Sequence, residues 1–154
     1  YMILDKEDVS KLIRSTEISV GASNISAIPE VRVKMAQIQR EFASKNSVVM
    51  EGRDIGTYVL PQAQVKIFLT ASIEERAKRR YNQFVEKGMK NLSLNEIIDE
   101  IQYRDKNDSS RELAPLRKAE DAIEIDTTNL TIEQVTDKII SYIRQAERKN
   151  GGIY

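Results

Sequence analysis

The sequence contains no cysteine and no histidine. The first absence excludes disulfides, thiolate metal sites and cysteine nucleophiles. The second excludes imidazole bases, Ser-His-Asp triads and histidine-ligated metals. Net charge is also absent, since 24 Lys and Arg balance 24 Asp and Glu. A broad basic field for nucleic acid or an anionic membrane is therefore not expected. No apolar run approaches the length of a membrane span, and no signal peptide is visible, so the cytoplasm is the default compartment. Polar chemistry must rest on Asp, Glu, Arg, Lys, Ser, Thr or Tyr.

The 154 residues, 40% apolar and 31% charged, suffice for one folded domain with its own core. Tyr1-Met2-Ile3-Leu4 reads as the inside of an apolar segment, which leads us to expect a chain that starts partway through a larger protein. Asp8 to Arg14 predicts a short helix with Val9, Leu12 and Ile13 on one face. Residues 21–28, rich in Ser and Ala, predict a loop or short helix. Pro29 sits where a first-turn proline belongs. Val31, Met35, Ile38 and Phe42 then recur at helical spacing, and Lys45-Asn46-Ser47 ends that helix.

Residues 47–50 and 65–69 are short apolar runs that predict buried parallel strands, and 122–126 predicts a third. Ser72 with Glu75, Ser93 with Glu96 and Thr131 with Gln134 form capping boxes for three helices. Gly88 stops the first of these. Leu94, Ile97, Ile98 and Ile101 mark the apolar face of the second, and Val135, Ile139, Tyr142 and Ile143 that of the third. Strands alternating with capped helices predict an α/β fold with a parallel sheet.

Ligands of such sheets bind beyond the carboxyl ends of the strands. Glu51-Gly52-Arg53-Asp54-Ile55-Gly56-Thr57 follows the first run, with two acids flanking an arginine. It is suited to holding a phosphate, and equally to being a polar turn with a local ion pair. Arg104, Asp108 and Arg111 fall on one helical face at spacings of four and three. Two guanidinium forks around a carboxylate suit a phosphate and a sugar hydroxyl, and also describe a solvated salt-bridge ladder. Arg76-Ala77-Lys78-Arg79-Arg80 is a solvated basic face or a mobile lid closing over transferring phosphates. Phosphoryl transfer relies on positioning and fixed positive charge, which a chain without His or Cys but rich in spaced arginine can supply.

Glu51 to Thr57, then Lys66-Ile-Phe-Leu-Thr-Ala-Ser72, then Glu75 to Arg80, then Arg104-Asp105 with Asp108-Ser-Ser-Arg111 and Ala114-Pro-Leu116 occur in the order of bacterial cytidylate kinases. Ser23 to Arg32 is similar to that family's nucleotide-specificity segment. The resemblance runs from about Glu7 to Arg144 and covers the C-terminal two-thirds of the family. It implies a nucleoside-monophosphate-kinase-like, three-layer parallel α/β sheet lacking its N-terminal strand and P-loop. Residues 1–45 would belong to the monophosphate-binding domain and 46–148 to the core kinase domain with a lid around 76–92. Residues 149–154 would form a tail.

The implied activity is transfer of the γ-phosphoryl group of ATP, with Mg2+, to CMP or dCMP. Ser23, Arg32 and Asp54 would read the cytosine ring. Arg104 and Asp108 would hold the ribose and phosphate region, Arg111 base or phosphate, and Arg53 the acceptor phosphate. Arg79 or Arg80 would serve from the lid. Glu51 stands where the family usually has Asp and would reach magnesium only through water. The alternatives are a non-catalytic pyrimidine-nucleotide module, an RNA-associated domain built on the basic helix, and a uridylate- or adenylate-specific relative. Zero net charge and the lack of aromatic stacking platforms count against RNA. Neither nucleic acid nor membrane is an expected partner.

No Gly-x-x-x-x-Gly-Lys-[Ser/Thr] occurs in the chain, and that loop supplies the backbone N–H groups and lysine for a donor's phosphates. The resemblance implies a monomeric full enzyme, whereas strands left without a central neighbour expect this chain alone to associate or exchange strands. Purified alone with ATP and CMP, the chain is predicted to turn over far below the full-length protein's rate. Equal rates in a coupled ADP-release assay would refute this.

Overall fold

A computed structural model describes residues 1–89, 93–149 and 151. Two short strands, β1 (Ile3–Leu4) and β2 (Glu7–Asp8), pair antiparallel, with Ile3 opposite Asp8. Asp5 and Lys6 both adopt positive φ, the mirror-image turn that matches strand twist in a two-residue hairpin. The helix predicted over 8–14 is therefore reduced to one 3-10 turn at Leu12–Arg14. Asp8 is engaged in the hairpin and its carboxylate accepts the Ser10 N–H at 2.9 Å, and this local bond competes with a helical start.

Helix α1 (Thr16–Ile25) begins on Ser15, whose hydroxyl accepts the Ile18 N–H. It runs through the first half of the segment predicted as loop or short helix, because Ser19 and Ser23 find partners on a later helix. Helix α2 (Pro29–Lys45) carries its proline in the first turn as predicted. Its expected apolar stripe is not what the described residues bury. Met35, Ile38 and Phe42 stay about half exposed, while Arg32 and Ala36, on the adjoining face, are buried.

Residues 47–50 form no strand among the described residues, which corrects the sequence expectation. No neighbouring strand lies alongside to satisfy their backbone groups, and Val49 is fully exposed. The chain then makes a single wide helical turn over Ile55–Val59, in which Val59 N–H reaches the Asp54 carbonyl at 3.1 Å. Arg40 of α2 fixes it by donating to the carbonyls of Tyr58 and Val59 and stacking over the Tyr58 ring.

The other two predicted strands are present. β3 (Ile67–Thr70) and β4 (Ile123–Asp126) pair in parallel, Ile67 with Ile123 through Thr70 with Asp126. Of the expected parallel sheet, the described residues contain this pair. Between them run α3 (Ile73–Glu86) and α4 (Leu94–Ser109), started by Ser72 and Ser93. Glu75 does not complete the first capping box, since its carboxylate pairs with Arg79 instead. Gly88, at φ +74°, ends α3 in the left-handed conformation that glycine adopts without penalty. Residues 90–92 of the expected lid, and 150 and 152–154 of the expected tail, lie outside the described residues.

Helix α5 (Ile132–Lys149) has a reciprocal box, with Thr131 N–H on Gln134 and Gln134 N–H on Thr131. Val135, Ile139, Tyr142 and Ile143 are its half-buried face, as their spacing predicts, but none is fully buried. No helix among the described residues is long and apolar enough to cross a membrane.

The tightest apolar packing joins α3 to α4: Ala77, Phe84 and Ile97 are buried, with Tyr81, Ile98 and Ile101 against them. This contact sets the position of both arginine-rich helices. Phe84→Ala is predicted to destabilise the chain by about 3 kcal/mol through lost burial and a cavity. A urea midpoint within experimental error of the parent chain would contradict it.

Candidate functional site

The site is organised around Asp108, whose side chain is 1% exposed near the end of α4. Its carboxylate accepts from Arg53 Nε at 2.9 Å, from Arg111 Nη2, and from the Ser23 hydroxyl at 3.2 Å. Arg104, one turn earlier on α4, lies 3.8 Å away and donates to Ser19. Arg111 also donates to Ser26 at 2.7 Å. The i, i+4 spacing of Arg104 and Asp108 puts them on one face, as the sequence predicts. Arg111 lies just beyond the helix end and turns back to the same carboxylate.

A second pair faces the first. Arg32 of α2 binds the Asp54 carboxylate and donates to the carbonyls of Ser26 at 3.0 Å and Ala114 at 3.3 Å. Asp54 heads the wide turn at Ile55–Val59. A Cβ on Gly52 would meet the Ile55 side chain at 2.8 Å, so the loop carrying Arg53 and Asp54 closes over a glycine. Ala114 holds φ +53°, a left-handed conformation uncommon for a residue with a Cβ, and its carbonyl meets Arg32.

Ser23, Arg32, Arg53, Asp54, Arg104, Asp108 and Arg111 line a single cleft of about 270 Å3 together with Met35 and Ala36. Seven scattered candidates thus converge. Four guanidinium groups oppose two carboxylates there, a formal surplus of two positive charges. Burial lowers the Arg104 pKa from its ordinary value, neighbouring Arg53 lowers it further, and Asp108 opposes them. Burial likewise lowers that of Arg111 against the pull of Asp108. These groups stay charged at neutral pH, so the crowding is an electrostatic cost that an anion would offset.

The same residues lie within a sequence that matches a family model described as "Cytidylate kinase" over residues 1–145. The chain belongs to the cytidylate kinase family. It is 55% identical over 139 residues to a cytidylate kinase of Caldicellulosiruptor saccharolyticus, covering 90% of this chain and 61% of that protein. It is 54% identical over 144 residues to that of Lactobacillus gasseri, covering 94% and 62%. Against that of Bacillus subtilis the identity is 53% over 141 residues, covering 92% and 62%. The chain thus spans about three-fifths of the length of these cytidylate kinases.

A second cleft of this family member, about 230 Å3, lies between α3 and α4 and is lined by Arg53, Arg76, Arg79, Arg80, Arg104 and Glu100 among others. It shares Arg53 and Arg104 with the first. Arg80 pairs with Glu100 at 2.6 Å and stacks on Phe84, and Arg76 pairs with Asp105 at 2.7 Å. Arg79 is drawn to Glu75 and to Thr127, at the end of β4. Among the described residues, the Nε donors of Arg32, Arg76, Arg80, Arg104 and Arg111 are buried without a hydrogen-bond partner.

Glu51 stands apart: it is exposed and makes none of the contacts above. No group of three or more acidic residues able to hold a metal occurs among the described residues. Sequence reasoning missed Ser19, Ser26, Glu100 and Asn107. Ser19, Ser23 and Ser26 recur at four and three residues, so reading 16–26 as helix would have placed their hydroxyls on one stripe. Glu100 lies four residues before Arg104, so the same spacing would have put it on that face, whereas Asn107 carries no such signal.

Asp108→Asn is predicted to destabilise the chain by about 3 kcal/mol, because it strands buried guanidinium charge beside a neutral amide. Thermal unfolding that shows no loss would rule out this central role.

Proposed function

We propose that the full-length protein transfers the γ-phosphoryl group of ATP to CMP or dCMP, giving CDP or dCDP. The observation that carries this is the cleft with a surplus of two positive charges, joined through Arg53 and Arg104 to a second arginine-lined cleft. A phosphate monoester carries about −1.5 to −2 charge at pH 7 and complements the first cleft. The names of the relatives support the same reading.

In this reading Ser23, Arg32 and Asp54 face the base. Arg104 and Asp108 hold the ribose and phosphate region, Arg111 base or phosphate, and Arg53 the acceptor phosphate. Arg79 or Arg80 attends the donor's phosphates. An acceptor phosphate oxygen forms a bond to the γ-phosphorus while the bond to the ADP oxygen breaks. The nucleophile is already an anion and needs no base, which agrees with a sequence free of His and Cys. Arginines placed on both sides stabilise the spreading charge.

Magnesium, if it accompanies ATP, neutralises phosphate charge. The described residues offer no cluster of ligands for it, and Glu51 alone does not make one. The wider three-layer sheet, the monomeric state and cytoplasmic residence belong to the same proposal. So do the boundary near residue 45 and a lid around 76–92. The Arg76–Asp105 and Arg80–Glu100 pairs would then open as α3 moves.

The test is a coupled assay of the full-length gene product with ATP, Mg2+ and CMP, UMP or AMP. CMP is expected to be the preferred acceptor, and Arg104→Ala is expected to lower kcat/KM by about a hundredfold. CMP bound without turnover would instead favour a non-catalytic nucleotide-binding protein.

A further inference from the structure

Ser23 is 2% exposed and lines the 270 Å3 cleft. Its hydroxyl has two protein neighbours, both from the last turns of α4: Asp108 Oδ1 at 3.2 Å and Asn107 Nδ2 at 2.8 Å. A hydroxyl has one proton and two lone pairs, and an ionised carboxylate only accepts. Asp108 already receives protons from Arg53 and Arg111. The Ser23 proton must therefore point to Asp108. Asn107 must then present its amide nitrogen, because its oxygen would have no proton to accept. One Ser23 lone pair is filled by Asn107, and the other has no donor among the described residues in a side chain that lines the cleft.

We propose that Asn107 is a positioning residue that holds Ser23 as a hydrogen-bond acceptor toward the cleft and thereby selects a base bearing an amino group there. This rests on the reading of the cleft as a cytidylate site and deepens it. Cytosine carries an amino donor where uracil carries a carbonyl acceptor. To serve uracil, Ser23 would have to turn its proton away from the buried Asp108 carboxylate. The Asn107 N–H restricts that rotation by occupying one of the remaining directions around the oxygen. Without it, the serine side chain is free to change rotamer and reverse its polarity at lower cost. Consecutive positions on α4 thus hold the one hydroxyl from two directions.

The experiment compares CMP and UMP as acceptors for the full-length protein and its variants. Asn107→Leu keeps the branched shape and the number of side-chain heavy atoms and removes the donor. It is expected to lower the CMP-to-UMP ratio of kcat/KM about tenfold, the worth of one hydrogen bond, with the loss carried by KM for CMP. Asn107→Gln, which retains the amide, should recover part of it. Ser23→Ala with Asn107→Leu should lose no more than Ser23→Ala alone, a non-additivity that a merely structural role would not produce. Should Asn107→Leu fail to fold, Asn107→Asp, of similar shape, is expected to lose the preference as well. An unchanged ratio in a folded Asn107 variant, or losses that simply add to those of Ser23→Ala, would overturn this inference alone. A wild-type protein that does not prefer CMP would overturn it together with the functional reading.

Discussion

Asp108 carries its charge where almost no water reaches it, and four parts of the chain answer that charge. Arg53 comes from the loop after α2, Ser23 from α1, Arg104 from the same helix, and Arg111 from the segment that follows. The Asp108 backbone carbonyl also accepts the Leu116 N–H at 2.8 Å, which ties down the stretch containing Ala114. A buried carboxylate is tolerable only when paired and hydrogen-bonded. Here that requirement gathers residues up to 85 positions apart, Ser23 and Asp108 being the extreme. The geometry of the cleft follows from satisfying one anion.

The reverse dependence holds for the arginines. Guanidinium groups cannot shed their protons, so they must be shared among carboxylates, carbonyls and hydroxyls. Arg32 uses Asp54 and two carbonyls, while Arg111 uses Asp108 and Ser26. The carboxylates are outnumbered in both clefts, which leaves positive charge for a ligand. The apolar contact of Ala77, Phe84 and Ile97 governs the second cleft, because it determines how far α3 stands from α4. Packing and charge are coupled at Arg80, which stacks on Phe84 and pairs with Glu100.

Much of this was legible beforehand. The cap residues Ser72, Ser93 and Thr131 located three helix starts, Pro29 another, and Gly88 an end, because each rests on chemistry within one turn. The runs at 65–69 and 122–126 became strands since each finds the other. The run at 47–50 is also apolar but makes no ladder among the described residues, since a strand needs a neighbour that no local pattern supplies. The hairpin at residues 3–8 was missed because Asp-Lys is not a common mirror-turn pair, and a positive φ at lysine is not signalled by its type.

The residue types excluded thiol and imidazole chemistry and left arginines and carboxylates as the charged groups, a set compatible with phosphate binding. Their short-range spacing placed Arg104 and Asp108 on one face, since i and i+4 of a helix must meet. Only the tertiary structure decided that Ser23, Arg32 and Asp54 open onto that same face, that α2 buries Arg32 rather than its apolar stripe, and that Asn107 holds the Ser23 hydroxyl. Those contacts depend on how separate elements pack, and the energy that selects the packing is summed over the whole chain rather than written in any segment of it.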